Sequence, residues 1–352
     1  MISDNTIQAV RNLDINDVLS RYITIKKNSA CCPFHNENTP SFHTKPTKGF
    51  FKCFGCGVSG DAIRFVEMHQ KLTFYETIER IAADHGIAIE LDDKYSPEER
   101  KQRQDKLLTY RQVLQFANDF FRKQLQRSPE AMNYLLKRDV SETTIDEWQL
   151  GYAPDGWHNL TQPIIERGWY EPARELGLIA TSDGRNFDVY RNRIIIPITD
   201  KHSQVVGFAG RSMGDEKPKY INPRESDMYI KSAIWFGWAQ AINSIDKLSE
   251  AIITEGYFDV ISMHRSGATN TIASCGTSID DKQWKALKSY AKNIAIMYDG
   301  DNAGQKKIHT HVLEGLKLGF NMKVIHVFEG VDPDDIARQF YSESDSNPMP
   351  NE

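Results

Sequence analysis

The fold of the C-terminal third is decided by Ala251-Ile252-Ile253-Thr254-Glu255-Gly256-Tyr257-Phe258-Asp259, a strand-sized apolar run that passes directly into acidic residues. Two later apolar runs, 293–298 and 322–328, are also followed by acidic residues. Segments of helical length separate the three runs, and strands that alternate with helices predict a parallel sheet with right-handed crossovers. We therefore predict an α/β parallel-sheet domain over residues 247–340.

Acidic side chains follow every predicted strand of this domain. They are Glu255 and Asp259 after the first strand, Asp299 and Asp301 after the second, and Asp332, Asp334 and Asp335 after the third. Carboxyl ends of parallel strands line the ligand crevice of open sheets, and carboxylates gathered there favour a divalent cation. Oxygen donors favour Mg²⁺ or Mn²⁺ over Zn²⁺, and such sites serve phosphoryl transfer. Taken alone, Asp259 or Asp335 is better explained as a helix cap.

Composition places the chain among globular proteins. It has 352 residues, of which 40% are hydrophobic and 26% charged. This length predicts two to three domains, and the composition excludes disordered, collagen-like and coiled-coil classes. The apolar runs are too short to cross a membrane and the N-terminus lacks a signal-peptide pattern, so we expect no membrane association.

Cysteine spacing indicates a metal site near the N-terminus. Of five cysteines, four lie between positions 31 and 56, in the patterns Cys32-Pro33-Phe34-His35 and Cys53-Phe54-Gly55-Cys56. Two pairs with two-residue gaps supply the four ligands of a closed, structural zinc site. Cys31 is an alternative to Cys32, and His43 is a weaker alternative to His35. An odd number of cysteines arranged for metal also favours a reducing, cytoplasmic location.

The overall net charge of −5 hides local basic stretches. Between the cysteine pairs, lysines at 45, 48 and 52 alternate with phenylalanines at 42, 50 and 51. This pattern suits single-stranded nucleic acid, although the aromatic residues are explained equally well as the core of the ribbon. A second basic set contains Arg191, Arg193, Arg211, Lys219, Tyr220 and Lys231. Arginine and lysine there suit a triphosphate or a template backbone.

The predicted organisation has three folded parts. A zinc-binding domain with flanking helices spans 1–91, and a charged segment, 92–106, is a linker or solvated helix. A basic subdomain spans 107–246 and precedes the parallel-sheet domain, and residues 341–352 form a polar tail. The predicted fold class is multidomain α+β and α/β.

These motifs together resemble bacterial DnaG-type DNA primases. The resemblance rests on Cys32-Pro33-Phe34-His35, Cys53-Phe54-Gly55-Cys56-Gly57, Glu255-Gly256-Tyr257-Phe258-Asp259 and Asp299-Gly300-Asp301-Asn302-Ala303-Gly304, and covers about Ile7 to Phe340. It implies a TOPRIM fold for 247–340 and synthesis of short RNA primers on single-stranded DNA from nucleoside triphosphates.

The resemblance also implies roles for individual residues. Zinc would be bound by Cys32, His35, Cys53 and Cys56. The catalytic Mg²⁺ or Mn²⁺ would be held by Glu255, Asp299, Asp301, Asp332 and Asp334. Nucleotide or template would be held by Arg138, Arg191, Arg193, Arg211, Lys219, Tyr220 and Lys231. The sequence ends before the helicase-binding domain typical of the family, so we expect a replicative helicase or another replication protein to act in trans.

Two other functions stay open at this point. The first is a TOPRIM-type enzyme that cleaves DNA through a tyrosine, although nothing in the sequence marks one of the 14 tyrosines as a nucleophile. The second is a non-catalytic adaptor that binds single-stranded DNA. The acidic set argues against an adaptor.

Overall fold

A computed structural model describes residues 2–70, 72, 74–90, 97–276, 278–300, 302–327 and 333–337. The chain divides into two compact units, Met1–Lys101 and Gln102–Glu352, each taken by itself below. Two predicted metal ligands, Asp301 and Asp332, and the predicted tail at 341–352 lie outside the described residues. Within the described part of the chain, no helix has the length and apolar character that crossing a membrane requires.

The N-terminal unit consists of a four-stranded antiparallel ribbon with two helices before it and two after it. The helices are α1 (Asp4–Arg11), α2 (Ile15–Leu19), α3 (Ala62–Gln70) and α4 (Phe74–Asp84), and the strands are β1 (Ser29–Ala30), β2 (Phe42–Lys45), β3 (Phe50–Cys53) and β4 (Ser59–Gly60). The strands pair in the order β1-β2-β3-β4. This arrangement is the predicted ribbon.

Strands β2 and β3 alternate buried and exposed residues, which gives the ribbon an inner and an outer face. Phe42 and Phe51 are fully buried, and their rings stack 4.8 Å apart. Phe65 of α3 packs edge-on against both rings at 5.7 Å. Phe50 lies on the outer face and is 41% exposed. Two of the aromatic residues between the cysteine pairs therefore build the core, while Phe50 remains accessible.

The second unit begins within a long helix, of which residues 97–101 belong to the first unit, and continues to an antiparallel sheet. Its first elements are α5 (Pro97–Gln126), α6 (Pro129–Leu136), α7 (Glu142–Glu147), β5 (Gly151–Ala153), α8 (Thr161–Glu166), α9 (Tyr170–Glu175), β6 (Ile179–Ser182), β7 (Arg185–Asp188), β8 (Arg193–Thr199), β9 (Val205–Ser212) and β10 (Tyr220–Ile221). The sheet order is β10-β9-β8-β5, and β6 and β7 form a separate hairpin. Of the segment predicted as a linker or solvated helix, residues 97–106 form the start of α5.

The antiparallel sheet is covered on both faces. Every residue of β8 and β9 is buried. Alternate side chains of β8 enter different cores: Ile194 and Ile196 pack with Phe258, whereas Ile195 packs with Phe121 and Phe208. Since side chains on a strand alternate between faces, this apolar run joins two cores.

The second unit ends in a parallel sheet. Its elements are α10 (Trp238–Leu248), β11 (Glu250–Thr254), α11 (Tyr257–Arg265), β12 (Thr271–Ala273), α12 (Asp281–Lys288), β13 (Asn293–Ile296), α13 (Asn302–Lys317) and β14 (Asn321–Val324). The order is β12-β11-β13-β14, and all three pairings are parallel. The predicted α/β parallel-sheet domain is confirmed.

Two details of this sheet differ from the prediction. Strand β12 was not predicted, because three residues are too few to show a periodic pattern. The last two strands are shorter than the predicted 293–298 and 322–328, since β13 ends at Ile296 and β14 ends at Val324. Strand β14 lies at the edge of the sheet, where its residues alternate between exposed and partly buried positions. The apolar residues that follow Val324 therefore do not extend the strand.

A backbone bridge connects β12 to Phe236, which lies between β10 and α10 and outside the named strands. The Phe236 amide donates to the Ala273 carbonyl at 2.8 Å, and the Ala273 amide donates back at 3.1 Å. Phe236 also packs edge-on against Tyr257 at 4.9 Å, at the start of α11. One cavity is lined by Arg211 of β9, by Lys219 just before β10, and by Glu255 and Asp299, which follow β11 and β13.

Candidate metal centres

The four predicted zinc ligands meet beside the ribbon. Cys32, His35, Cys53 and Cys56 each offer a ligand atom, and these atoms all lie within 4.8 Å of one another. Cys32 Sγ is 3.8 Å from Cys56 Sγ, and His35 Nδ1 is 3.9 Å from Cys53 Sγ. Three sulfurs and one imidazole nitrogen at these separations fit a closed tetrahedral zinc site.

The alternative ligands lie elsewhere. Cys31 is exposed, whereas Cys32 is buried. The His43 ring packs edge-on against Phe54 at 5.5 Å on the outer face of the ribbon. The structure therefore favours Cys32 and His35 over these neighbours.

Glu37 supports the zinc ligands, and the sequence analysis did not identify it. Its Oε1 accepts hydrogen bonds from the backbone amides of Cys32 at 2.7 Å and Ser41 at 3.1 Å. Hydrogen bonding from the Ser41 hydroxyl is the main reason that the pKa of Glu37 is lowered to about 2. Metal-binding histidines commonly hydrogen-bond a carboxylate through their second ring nitrogen. The sequence His35-Asn36-Glu37 was therefore the pattern that could have predicted this role for Glu37.

The candidate catalytic site is a cavity of about 280 Å³ in the second unit. Glu255 follows β11 at once, and Asp299 comes three residues after β13 ends. Because β11 and β13 are parallel neighbours, both acids reach the same end of the sheet, and both line the cavity. This part of the predicted acidic site is brought together.

The two oxygens of Glu255 differ in their surroundings. Oε2 forms an ion pair with Lys307 Nζ of α13. Oε1 is buried and has no hydrogen-bond partner among the residues that the structure describes. A buried carboxylate oxygen without a partner is costly, and a bound cation would remove that cost. The donor chemistry therefore fits Mg²⁺ or Mn²⁺ beside Glu255.

Two other acids have different surroundings. Asp259 Oδ2 accepts the Gly256 amide at 2.8 Å and so caps α11. Asp334 is 2% exposed, pairs with Arg138 Nη2 at 2.6 Å, and accepts a hydrogen bond from the Ser262 hydroxyl. Among the residues that the structure describes, Glu255, Asp299 and Asp334 do not form a group of three at metal-binding distance.

Four of the seven residues predicted to hold nucleotide or template line the cavity. They are Arg138, Arg211, Lys219 and Tyr220. Arg211 is held in place because its Nε donates to the Tyr134 hydroxyl at 2.8 Å and its guanidinium lies 5.1 Å from the Phe258 ring centroid. Cationic side chains and carboxylates therefore share one water-accessible space.

The other three predicted residues lie around it. Arg193 is 5% exposed, and its Nη1 donates to the Lys219 carbonyl at 3.2 Å, so it supports the backbone beside the cavity. Arg191 stacks over the Trp157 ring at 4.1 Å. The Lys231 side chain packs against Gly276, a residue of the cavity wall.

Helix α13 contributes residues that the sequence analysis missed. Besides Lys307, it carries His311, whose Nδ1 is 2.8 Å from the buried Tyr298 hydroxyl. Tyr298 precedes Asp299, so this bond ties α13 to the segment that carries the acid. The spacing of 307 and 311 predicts a shared helix face, but only the tertiary structure shows what that face meets.

Comparisons with known proteins decide the family. Family models match residues 2–97 (CHC2 zinc finger), 120–242 (DNA primase catalytic core, N-terminal domain) and 252–337 (Toprim-like). The crystal structure of the Aquifex aeolicus primase, with its zinc binding and RNA polymerase domains, is 32% identical in sequence. The structural alignment covers 98% of this chain and 84% of the Aquifex aeolicus chain, with a TM-score of 0.63. The chain belongs to the DnaG primase family.

Further DnaG relatives are similar. A DnaG primase catalytic domain bound to ssDNA is 30% identical, with a TM-score of 0.63, and aligns over 67% of this chain and 78% of its own. The DNA primase of Halalkalibacterium halodurans is 36% identical over 97% of this chain. The match covers 58% of that relative, so this chain spans less than two thirds of its length.

Membership of the DnaG family confirms two predictions. The fold class is a zinc ribbon followed by a primase core and a Toprim domain. The cofactors are a structural zinc ion at the Cys₃His set and a divalent cation in the Toprim domain. The assignment of individual acids to that cation is a proposal.

Proposed function

We propose that this chain synthesises short RNA primers on single-stranded DNA from nucleoside triphosphates. The observation that carries the proposal is the buried, unpartnered Oε1 of Glu255 in a cavity that also contains Asp299. Arg138, Arg211 and Lys219 supply positive charge to the same cavity. Carboxylates for cations and basic groups for phosphates are the parts that nucleotidyl transfer requires.

The acids are proposed to hold the catalytic cations. Glu255 and Asp299 line the cavity, and family resemblance adds Asp334, which pairs with Arg138, together with Asp301 and Asp332, which lie outside the described residues. When bound, two divalent cations lower the pKa of the attacking 3′-hydroxyl and neutralise the departing pyrophosphate. Asp334 also orients Arg138, since its carboxylate bonds that guanidinium.

The basic residues are proposed to seat the triphosphate. Arg211 and Arg138 present planar guanidinium groups, which suit phosphate oxygens, and Lys219 adds a point charge. Arg193 acts indirectly by holding the Lys219 backbone, and Tyr220 bonds Arg211. Arg191 and Lys231 lie beyond these groups and are proposed to meet the template.

The outer face of the ribbon is proposed to contact the template. His43, Lys45, Phe50 and Lys52 lie on this face, and Phe54 beside it is 70% exposed. Lys52 Nζ lies 5.5 Å from the Phe54 ring centroid. Aromatic rings for stacking and lysines for phosphates bind single strands with little sequence preference. A DnaG catalytic domain bound to ssDNA supports single-stranded DNA as the ligand of the second unit, and the ribbon is proposed to hold the same strand.

DNA cleavage through a tyrosine is less well supported. The two tyrosines in the cavity are Tyr220 and Tyr257. Tyr257 donates its hydroxyl to Asn222 Oδ1 at 2.9 Å, and the Tyr220 hydroxyl bonds Arg211. Burial raises the pKa of both hydroxyls, which disfavours the phenolate that would attack a phosphate. An adaptor without activity would not need the buried carboxylate.

A single assay separates the three functions. The zinc-loaded full chain is incubated with labelled nucleoside triphosphates and unlabelled random single-stranded template, and in parallel with labelled DNA alone, with Mg²⁺ or Mn²⁺. We expect short labelled RNA from the first mixture and intact DNA in the second. Cut DNA would support cleavage, and DNA binding with neither product would support an adaptor; either result contradicts the proposal.

The proposal also covers the cellular location of the chain and its protein partner. We infer that the chain acts in the cytoplasm, where replicating DNA is accessible, and that a replicative helicase or another replication protein assists it in trans. Family resemblance supports this partner. Addition of the helicase from the same source should increase primer yield on long single-stranded templates, and an unchanged yield would argue against it.

A further inference from the structure

Lys307 occupies an unusual place among the cationic side chains of the cavity. Its ammonium pairs with Oε2 of Glu255, and the two side chains are 28% and 21% exposed. The neighbouring Oε1 is buried, and none of the described residues hydrogen-bonds it. One oxygen of the carboxylate is therefore bonded to a protein cation, while the other has no such bond within the described part of the chain.

Both arginines that line the cavity bond other side chains. Arg138 pairs with Asp334, and Arg211 bonds Tyr134 and Tyr220. These two guanidinium groups are bonded to residues other than Glu255, whereas Lys307 bonds the predicted metal ligand itself. A lysine ammonium is a compact cation on a flexible stem, and a partly exposed ion pair is weak, so this bond can exchange for a stronger one.

We propose that Lys307 competes with the divalent cation for Glu255 and thereby sets the concentration of Mg²⁺ or Mn²⁺ that the chain requires. The inference rests on the proposed role of Glu255 as a metal ligand. A divalent cation that uses both oxygens of Glu255 must displace the ammonium, and any cation held there is repelled by it. Removal of the Lys307 charge strengthens cation binding for both reasons.

Direct binding of Mn²⁺ tests this inference without an activity assay. Free Mn²⁺ is measured by electron paramagnetic resonance in titrations of the zinc-loaded full chain, without nucleotide or DNA. Lys307→Met should lower the dissociation constant of the tightest site roughly three- to tenfold. Lys307→Gln, which also removes the charge but keeps a polar end, should do the same.

Lys306→Met is the matched control. Lys306 is the preceding residue of α13 and is exposed, so the substitution changes the net charge of the chain by the same amount. The dissociation constant of Lys306→Met for Mn²⁺ should stay within about twofold of that of the unsubstituted chain, because solvent and salt screen the effect of a surface charge on the bound cation. Equal tightening in Lys306→Met and Lys307→Met would overturn the competition at Glu255.

Substitution of Glu255 separates this inference from the proposed function. Glu255→Gln should weaken Mn²⁺ binding, and in that background Lys307→Met should tighten binding by less than it does in the unsubstituted chain, because only the charge repulsion remains. If Glu255→Gln binds Mn²⁺ as tightly as the unsubstituted chain, the proposed metal site itself fails. If Glu255→Gln weakens binding but both Lys307 variants bind no more tightly than the unsubstituted chain, only the competition fails.

Discussion

His35 Nε2 lies 3.1 Å from Glu37 Oε2, while the other ring nitrogen, Nδ1, faces Cys53 Sγ. Glu37 simultaneously accepts the amides of Cys32 and Ser41, so one carboxylate joins the first ligand pair to the start of β2. A carboxylate on the second nitrogen of a zinc-binding imidazole fixes its tautomer and its orientation. The zinc centre thus depends on a residue that does not bind the metal.

Loss of Glu37 should weaken zinc binding. Glu37→Ala removes the bond to His35 and leaves two amides without their acceptor, and we expect zinc affinity to fall by roughly 10- to 100-fold. Competition with a chromogenic chelator measures the change. Cys31→Ser is the control, since this exposed thiol adjoins a ligand but lies outside the ligand group, and it should retain the original affinity. An unchanged zinc affinity in Glu37→Ala would contradict this account.

The close approach of α13 to the acids depends on Gly304. A Cβ at this position would overlap the Asp299 carbonyl oxygen and lie 3.1 Å from Glu255 Oε1. Because a backbone atom cannot move aside cheaply, Gly304→Ala should displace the acids and reduce primer synthesis at least about tenfold. Gly315→Ala, on the same helix, would meet only the flexible Met322 side chain and should keep most activity. Similar activity in both variants would argue against this constraint.

The Arg138–Asp334 pair should contribute to the stability of the second unit. Asp334 is nearly inaccessible, and Arg138→Met would remove a 2.6 Å ionic contact from its buried carboxylate. We expect the free energy of unfolding to fall by about 3 kcal/mol, measured by urea titration with tryptophan fluorescence. Lys106→Met breaks an exposed pair with Glu175 and Asp227 and should cost less than about 1 kcal/mol. Equal losses in the two variants would contradict the difference in burial.

His264 should make stability dependent on pH. Burial lowers its pKa in the folded chain, where its ring packs edge-on against Trp148 at 5.1 Å and its Nε2 is 2.8 Å from the Thr271 carbonyl. The unfolded chain then binds a proton at higher pH than the folded chain. The stability associated with neutral His264 is complete above its unfolded pKa, about 6.5, and is lost as the pH falls toward the lowered folded value.

Replacement of His264 isolates this effect. The free energy of unfolding of the original chain should decrease more between pH 8 and pH 5.5 than that of His264→Gln, whose amide can still donate to Thr271. Subtracting the two curves cancels the titration of the zinc ligands and other groups. Parallel curves would show that His264 does not titrate differently in the folded and unfolded states.

Local spacing predicted the features that short segments determine. Two cysteine-containing pairs were sufficient for the zinc ligands, and apolar runs followed by acids were sufficient for the parallel sheet. Tertiary structure decided the rest. Strand register, for example, separates Phe42 and Phe51 in the core from Phe50 on the outer face. The rotation of α13 brings Lys307 to Glu255, and no sequence pattern identifies that partner.

The central claim is that Glu255 is essential for primer synthesis because it helps to hold the catalytic cations. Glu250 provides a matched control, since it begins the same strand and its carboxylate pairs with exposed Lys323 at 2.9 Å. The decisive measurement is the rate of labelled RNA synthesis on single-stranded template by Glu255→Gln and Glu250→Gln. We expect Glu255→Gln to lose about a thousandfold in rate while still binding DNA, and Glu250→Gln to remain near the original rate. Undiminished primer synthesis by Glu255→Gln would contradict the account.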